Sequence, residues 1–314
     1  MKAFVVNEPG APETLQFTDL EKPTPQDNEV LVKVRAVSIN PVDTKTREGK
    51  ALYNTLKETA PVIPGWDISG EVVEVGNAVQ AFKVGDEVFG MVNFPGHGRA
   101  YAEYVAAPET HLARKPRNVP HHEAAAATLA ALTAWQVLVN EANIQPGQRV
   151  LVHAAAGGVG HFAVQLAKYF KSFVIGTASK QNHDFIRNMG ADETIDYNEE
   201  KVEDVVQDVD VVLDSLGEEN TRRSLLCLKD GGKIISILGG AKEAVQAEAE
   251  KRNIEAKNYL VHSSGQDQAK IADLLSQGKI TAHVSHVYDF EDMAKAHEQV
   301  ETHKTRGKVV VHVS

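Results

Sequence analysis

"HAAAGGVGHFAVQLAK", residues His153 to Lys168, is the segment from which the architecture of this chain follows. It comes after the apolar run "QRVLVHA" and continues as a helical pattern with Val159, Ala163 and Leu166 on one side. A strand, a glycine-rich loop and a helix in this order can hold the pyrophosphate of a dinucleotide at the helix N-terminus. The segment therefore predicts a dinucleotide-binding unit.

The loop departs from the G-x-G-x-x-G pattern at its first glycine, where it has Ala155. Small residues serve the tight turn, the close approach of the pyrophosphate and the close packing of helix on strand, and Gly157, Gly158 and Gly160 provide the last two. The turn tolerates alanine if its φ is negative. Taken alone, the loop is also compatible with a helix entry that binds no ligand. In this context we expect a cofactor to lie against Ala156, Gly157, Gly158 and Val159.

The residues around the loop predict two kinds of structure. Downstream, strand-like runs such as "SFVIGTA", "DVDVVLD" and "GGKIISILGG" alternate with helical ones, which indicates a parallel sheet covered by helices on both faces. Upstream, "KAFVV", "EVLVKVRAVSI", "SGEVVEVG" and "GDEVFGMV" are typical strands of a compact barrel-like domain. Between them, "HHEAAAATLAALTAWQVLVNEA" predicts one alanine-rich helix beside a domain boundary. Near the end, "NIEAKNYLVHS" is expected to add an edge strand.

Length and composition narrow the possible functions. A chain of 314 residues suits two domains, and 42% hydrophobic with 24% charged residues is a globular composition. No apolar run approaches the ~20 residues that span a bilayer. The N-terminal "MKAFVVNEPG" lacks the pattern of a secretory signal, so the cytoplasm is expected. A net charge of −10 without a basic cluster disfavours nucleic acid as a partner.

Cysteine and histidine usage bears on metals and redox chemistry. The single cysteine, Cys227, excludes an internal disulfide and every multi-cysteine zinc site. Most of the 13 histidines are expected at the surface. His121 and His122 are adjacent at a helix entry and do not converge on one ion, and His283 and His286 are weak candidates for metal ligands.

The strand after the loop bears on cofactor choice. An NAD site usually has an acidic residue for the ribose 2′-hydroxyl roughly 20 residues beyond the loop. Here "IGTASKQN" offers Thr177, Ser179 and Lys180, with no carboxylate before Asp184. A serine and a lysine can bind a 2′-phosphate through charge-assisted hydrogen bonds, so NADP(H) is predicted. The alternative is that Ser179 and Lys180 open a solvated helix.

Seven motifs, in order from one end of the chain to the other, resemble those of a known family. They are "INPVDTKTREG", "IPGWDISGEVVEVG", "VGDEVFG", "AEYVAAPE", "LTAWQVL", "AAAGGVG" and "RGKVVV". With them the chain resembles the medium-chain dehydrogenase/reductase superfamily, and within it the zinc-independent quinone oxidoreductase and alkenal reductase branch that includes zeta-crystallin. The resemblance implies an α/β fold, a Rossmann doubly wound parallel sheet plus a GroES-like β-barrel domain. The expected division is a catalytic domain at 1–122, an NADP-binding domain at 123–262, and a C-terminal segment at 263–314 that returns to the catalytic domain.

The zinc alcohol dehydrogenases of this superfamily supply a test by residue position. Their first cysteine ligand matches Asn40, the histidine of their Gly-His-Glu motif matches Trp66, and the junction helix here has no cysteine. Asparagine and tryptophan cannot replace a thiolate and an imidazole in a tetrahedral zinc site. Without zinc there is no Lewis acid to stabilise an alkoxide, whereas the delocalised charge of an enolate or hydroquinone can be supported by hydrogen bonds. No metal is expected, and hydride transfer to a quinone or an α,β-unsaturated carbonyl is predicted.

Five residues are candidates for catalysis or substrate contact. The amide of Asn40 is expected to donate to a substrate oxygen, and Asp43 to orient Asn40, although each is also an ordinary turn or cap residue. Tyr53 could donate a proton, with burial in a loop as the alternative. Trp66 is expected to fill the former metal pocket, and Phe94 to stack on a planar substrate.

The family's cofactor site carries over to further positions. Thr133 matches a threonine near the nicotinamide, Tyr197 a tyrosine near the adenosine phosphate, and Lys308 a basic residue near the pyrophosphate. Lys308 as an exposed strand lysine is the alternative. The remaining predicted contacts follow two later strands and are Ser215, Leu216, Leu238 and Gly239.

Three functions are therefore open at this point. The first is an NADPH-dependent reductase of quinones or α,β-unsaturated carbonyls acting on a small-molecule substrate. The second is an NADPH-binding protein of zeta-crystallin type with incidental turnover. The third is a zinc alcohol dehydrogenase with unrecognised ligands such as His97. By resemblance, a homodimer is expected, formed across the edge strand.

Overall fold

A computed structural model describes residues 1–313, which form two compact units. One unit comprises Met1–Leu132 together with the described chain from His262 onward, and the other comprises Thr133–Val261. Among the described residues, every helix is too short or too polar to cross a bilayer.

The first segment of the chain is rich in strands, as predicted. They are β1 (Lys2–Val6), β2 (Leu15–Asp19), β3 (Glu29–Ile39), β4 (Asp67–Val75), β5 (Glu87–Met91), β6 (Tyr104–Pro108) and β7 (Leu112–Arg114). The first helices are α1 (Pro41–Arg47), α2 (Tyr53–Leu56), α3 (His121–Ala126) and α4 (Leu129–Trp135). The long β3 pairs antiparallel with both β4 and β6, and its valines face the core of the unit.

The prediction of one continuous alanine-rich helix is wrong, because the helix is interrupted between α3 and α4 and continues after α4 as a π-helical turn at Gln136–Glu141. In an unbroken helix the amide of Leu129 would donate to the carbonyl of Ala125. Instead, the Thr128 hydroxyl donates to that carbonyl at 2.7 Å, and the Leu129 amide donates to Oδ1 of Asp67 at 3.0 Å. A carboxylate on β4 therefore stabilises the break.

The second unit has the parallel sheet predicted from the alternating pattern. Its strands are β8 (Arg149–Val152), β9 (Phe173–Ala178), β10 (Glu193–Asp196), β11 (Val209–Asp214), β12 (Leu228–Ser236) and β13 (Glu255–Asn258). Its helices are α5 (Gly158–Tyr169), α6 (His183–Asn188), α7 (Val202–Val205), α8 (Glu218–Ser224) and α9 (Glu243–Glu250). The spatial order β10-β9-β8-β11-β12-β13 is the doubly wound order, with the switch point between β8 and β11. The edge strand predicted in "NIEAKNYLVHS" is β13.

The last segment returns to the first unit. It contains α10 (Gly265–Ser276), β14 (Val284–Asp289), α11 (Met293–Glu301) and β15 (Lys308–His312). β15 pairs antiparallel with β3, with Val309 opposite Ile39, so the chain delivers Lys308 beside the end of β3. The resulting sheet runs β14-β15-β3-β4-β5-β7, and β6 pairs with β3 beside it.

Candidate functional site

Asn40 lies at the junction of β3 and α1, where Pro41 starts the helix. Its side chain is 2% exposed and is held at both ends. Nδ2 donates to Oδ2 of Asp67 at 2.7 Å, and Oδ1 accepts from the Lys308 ammonium at 2.5 Å. Asn40 is therefore the centre of a buried polar cluster assembled from β3, β4 and β15.

Two carboxylates and one ammonium meet in this cluster. Asp67 is fully buried and Lys308 is 3% exposed, with 4.0 Å between Oδ2 and Nζ. Lys308 also donates to the carbonyl of Ile39 at 2.9 Å. Burial lowers the pKa of the Lys308 ammonium and raises the pKa of the Asp67 carboxyl, and each charge opposes the shift of the other. The attraction between the two groups therefore favours their charged forms against the effect of burial.

Asp43, on the first turn of α1, is the second carboxylate. Its Oδ2 accepts the backbone amide of Asn40 at 2.6 Å, and Asp43 therefore orients Asn40 through the backbone. Burial, and then the neighbouring charge of Asp67, raise the pKa of Asp43 to about 7. The cluster therefore gains or loses a proton near neutral pH.

A tyrosine and a histidine form a further layer behind Asp43. As a hydrogen-bond donor, the Tyr101 hydroxyl lowers the pKa of the Asp43 carboxyl. Burial and the charge of Asp43 raise the pKa of Tyr101 itself. A 2.9 Å hydrogen bond joins Oη of Tyr101 to Nε2 of His297. Burial lowers the pKa of His297 to about 3, so this histidine is neutral at neutral pH.

The aromatic candidates belong to the same unit, and Trp66 directly precedes Asp67. Trp66 is buried, its Nε1 donates to the carbonyl of Gly96 at 2.7 Å, and its ring meets that of Phe94 edge-on with the centroids 5.2 Å apart. Phe94 is thus packed against Trp66 and largely buried. Tyr53 starts α2 and is half-buried, with the ammonium of Lys57 5.9 Å from its ring centroid. Their substrate contacts stay predictions.

In the second unit, the glycine loop joins the end of β8 to the N-terminus of α5. Gly157 caps α5, and the first amides of that helix have no acceptor within it. A Cβ added at Gly160 would lie 2.2 Å from the carbonyl oxygen of Ala154 and 2.7 Å from Cα of Ala155. The third glycine is therefore needed for the close packing of α5 against the loop.

The alanine that replaces the first glycine causes no strain. Ala155 is buried, its amide donates to the carbonyl of Thr177 at 2.9 Å, and positive φ falls instead on its neighbour Ala154, at 47°. The Ala154 amide donates to Oγ1 of Thr177 at 3.2 Å. A threonine on β9 thus holds the unusual conformation of the loop.

His153 completes this arrangement. Its Nδ1 is 3.3 Å from Oγ1 of Thr177, and its Nε2 is 2.8 Å from Oγ of Ser224. Because Ser224 donates its hydrogen to the carbonyl of Asn220 at 2.7 Å, Nε2 carries the imidazole proton and Nδ1 accepts from Thr177. Burial lowers the pKa of His153 to about 4. Thr177, predicted to touch the cofactor, has its hydroxyl directed into the protein.

The remaining cofactor candidates of this unit follow the carboxyl ends of neighbouring parallel strands. They are Ser179 and Lys180 after β9, Tyr197 after β10, Ser215 and Leu216 after β11, and Leu238 and Gly239 after β12. Parallel strands end at the same edge of a sheet, so the loop and these residues share one edge, at which doubly wound sheets bind ligands. Thr133 lies on α4 and is buried.

Two aspartates fix the shape of that edge. Oδ2 of Asp196 accepts the amide of Lys180 at 3.1 Å. Asp214 accepts the amide of Leu216 at 3.2 Å and the hydroxyl of Ser236 at 2.9 Å. The carboxylates bind protein donors, which leaves the exposed lysine side chain of "TASK" to supply charge at the surface.

Four residues of these clusters are not predicted as site residues from the sequence: Asp67, Tyr101, His153 and His297. Asp67 follows Trp66 and so stands where the Gly-His-Glu motif has its glutamate, a signal that could have identified it. Within residues 1–313, no three histidine, cysteine, aspartate or glutamate side chains are grouped as a metal site would require.

Comparison with known proteins adds independent findings. The family model for the alcohol dehydrogenase GroES-like domain matches residues 26–117, and the model for zinc-binding dehydrogenase matches residues 189–311. The chain is 34% identical to the NADPH-dependent alkenal/one oxidoreductase of Arabidopsis thaliana, over 99% of its own length and 79% of that protein.

Two solved structures resemble the whole chain. The quinone oxidoreductase of Coxiella burnetii is 37% identical with a TM-score of 0.94, and the alignment covers 100% of this chain and 99% of that one. The Escherichia coli quinone oxidoreductase complexed with NADPH is 28% identical with a TM-score of 0.89, covering 100% of both chains.

Proposed function

Because the chain belongs to the medium-chain dehydrogenase/reductase superfamily, in its zinc-independent quinone oxidoreductase and alkenal reductase branch, we propose that it reduces quinones or α,β-unsaturated carbonyls with NADPH. When bound, NADPH supplies the hydride. The relatives that support this activity are an NADPH-dependent alkenal/one oxidoreductase and quinone oxidoreductases. The catalytic domain is assigned to 1–122 with 263–314, and NADP binding to 123–262.

The observation that carries the proposal is the Asn40 cluster. At the position of a zinc ligand, this chain has an amide held by Asp67 and Lys308. One hydrogen of Nδ2 is committed to Asp67, while the other has a long contact of 3.4 Å with the carbonyl of Ser38. That second hydrogen can be donated to a substrate oxygen at small cost, which suits a delocalised enolate or hydroquinone anion.

The surrounding residues have proposed roles that follow from their chemistry. Asp43, with a pKa of about 7, can hold an exchangeable proton close to Asn40. Tyr53 is half-buried and is proposed as an alternative proton donor and substrate contact. Trp66 and Phe94 are proposed to shape the substrate site as one packed aromatic pair.

Cofactor binding is assigned to the shared edge of the parallel sheet. The amides of Ala156, Gly157, Gly158 and Val159 suit the pyrophosphate, because they surround the open N-terminus of α5. Ser179 and Lys180 suit a 2′-phosphate, and Tyr197, which is 57% exposed, offers a surface for the adenosine. Ser215, Leu216, Leu238 and Gly239 line the same edge and are proposed contacts, as are Thr133 and Asn40 for the nicotinamide.

Steady-state oxidation of NADPH with a simple quinone and with a short enone tests the function. Turnover of at least one of them well above the rate with a saturated ketone is expected. Tight NADPH binding with no turnover of either would instead identify an NADPH-binding protein. One tightly bound zinc per chain, with alcohol oxidation abolished by a chelator, would identify a zinc enzyme.

Assembly and location complete the proposal. β13 pairs with β12 on one side only and lies at the edge of the parallel sheet, so a second copy could extend the sheet there. A homodimer in the cytoplasm is proposed. Light scattering of Ala256→Pro, which removes an amide of β13 that faces away from β12, is expected to show monomers where the unaltered chain shows dimers. Cell fractionation tests the location.

A further inference from the structure

Lys308 and Asp67 hold opposite ends of one side-chain amide. The ammonium meets Oδ1 of Asn40 at 2.5 Å, and the carboxylate meets Nδ2 at 2.7 Å. A reversed amide would set its N–H groups against the ammonium and its oxygen against the carboxylate, so two repulsive contacts would replace two attractive ones. The two charges therefore permit a single orientation of the Asn40 amide.

Burying this ion pair requires the desolvation of two charges, so we do not explain the pair by a gain in stability. All three side chains are nearly or fully removed from solvent. Removing two charges from water costs about as much as their attraction returns, so a buried ion pair is weak grounds for stability. The pair instead fixes the orientation of the Asn40 amide, because a neutral apolar pair of the same size would leave that amide free to rotate.

We infer that Lys308 and Asp67 are positioning residues for reduction, which fix Asn40 so that its second amide hydrogen faces the oxygen of the substrate. The inference rests on the proposed function, which assigns that oxygen to Asn40. The ammonium acts through Asn40, because its hydrogen bonds are to Oδ1 of Asn40 and to the carbonyl of Ile39. Its predicted contact with the cofactor pyrophosphate is the competing role for the same residue.

The two roles of Lys308 differ in which constant they control. A pyrophosphate contact contributes to the Kd of NADPH, whereas a positioning contact contributes to kcat at saturating NADPH. In addition, a residue that acts through Asn40 has nothing to contribute once Asn40 is removed. The effects of the two substitutions should then fail to add.

The experiment compares Lys308→Met, Asn40→Ala and the double variant with a quinone at saturating NADPH. Each single variant is expected to lower kcat by about tenfold or more, and the double variant to lie within about twofold of Asn40→Ala. The Kd of NADPH, from fluorescence, is expected to change by less than about threefold in Lys308→Met. Additive losses in kcat, or a large loss of NADPH affinity, would overturn the inference.

A matched control distinguishes an effect specific to Lys308 from the general effect of removing a buried lysine. Lys115 is also a buried lysine of this unit, and its ammonium donates to the carbonyl of Val119 at 2.7 Å and pairs with Glu87 at 3.2 Å. Lys115→Met should leave kcat unchanged. Because Lys308→Met leaves Asp67 without its counter-ion, the neutral pair Lys308→Met with Asp67→Asn is measured beside it, and the same loss of kcat is expected.

A measurement independent of turnover keeps this inference separate from the proposed function. Side-chain amide exchange of Asn40, followed by NMR without substrate, should quicken by about tenfold or more in Lys308→Met and stay constant in Lys115→Met. An unchanged rate in Lys308→Met contradicts the inference even if the enzyme reduces quinones. Quickened exchange in a protein that reduces neither substrate leaves the positioning intact and removes the proposed function.

Discussion

Oδ1 of Asp67 accepts the backbone amide of Leu129 at 3.0 Å, so one carboxylate both binds Asn40 and interrupts the alanine-rich helix. Asp67→Ala removes the acceptor for both groups and leaves Lys308 buried without its counter-ion. We expect the free energy of unfolding to fall by about 3 kcal/mol, as for other broken buried pairs. Urea denaturation measures it.

The control for that prediction is Asp184→Ala, at an aspartate that is almost fully exposed and paired only loosely with Arg187 at 3.3 Å. Its effect should stay below about 0.5 kcal/mol. If both substitutions cost the same small amount, Asp67 contributes nothing beyond a surface carboxylate.

Cofactor preference is expected to reside in "TASK". Lys180→Asp places a negative charge where a 2′-phosphate would bind, so the Kd of NADPH should rise by about tenfold or more while that of NADH changes little. Fluorescence titration with both dinucleotides gives the two constants. Lys201→Asp makes the same charge change at another exposed lysine of this unit and should affect both cofactors slightly and equally. Equal losses in Lys180→Asp would show that Lys180 does not contact the phosphate.

The glycine loop can be tested by a pair of substitutions. In Gly160→Ala the new Cβ would lie 2.2 Å from the carbonyl oxygen of Ala154, whereas in Gly157→Ala it would lie 3.2 Å from the same atom. We expect Gly160→Ala to lower the free energy of unfolding by about 2 kcal/mol or more and Gly157→Ala by clearly less. Thermal unfolding ranks them. The reverse order would mean that the helix does not pack on the strand as described.

Acid sensitivity is expected to depend on His153. Its pKa is about 4 in the folded chain, whereas an unperturbed histidine in an unfolded chain has a pKa of 6.5, so between these limits the unfolded chain binds the extra proton. Stability should therefore fall as pH decreases from 6.5 towards 4, by about 3 kcal/mol from this group. In His153→Asn the fall over that interval should be shallower, as measured by denaturation at several pH values.

Other groups titrate in the same interval, so the comparison is between slopes. His297, with a pKa of about 3, also makes the folded chain less stable as the pH falls. Asp43, with a pKa of about 7, makes it more stable. The contributions of His297 and Asp43 are the same in His153→Asn as in the unaltered chain. Parallel slopes for the two proteins would show that His153 is not held neutral.

The parallel sheet and the glycine loop could be predicted because their signals are local. Alternating apolar runs mark strands wherever they lie, and the residues that follow each strand of a parallel sheet reach the same edge by topology alone. The buried polar clusters are different, because they join residues far apart in the chain. Lys308 meets Asn40 only because β15 pairs with β3.

The individual errors have the same origin. The break in the alanine-rich helix depends on Asp67 on a distant strand, and within the segment Thr128 is of a residue type that favours such a break. The expectation that most histidines lie at the surface has three buried exceptions, His153, His161 and His297. The partner of His297 is Tyr101, which is remote in sequence, so the sequence around His297 does not predict this contact. The sequence predicts that the hydroxyl of Thr177 faces the cofactor, whereas in the structure it accepts the backbone amide of Ala154.

The chain order of the two units has a consequence for synthesis. Thr133–Val261 is continuous, so a ribosome completes that unit long before it reaches β15, and the unit can fold while the other is still lacking a strand. Lys308, which binds Oδ1 of Asn40, follows that unit in the chain. Nascent chains halted before Lys308 would thus possess the folded glycine loop while the Asn40 amide still lacks its cationic partner.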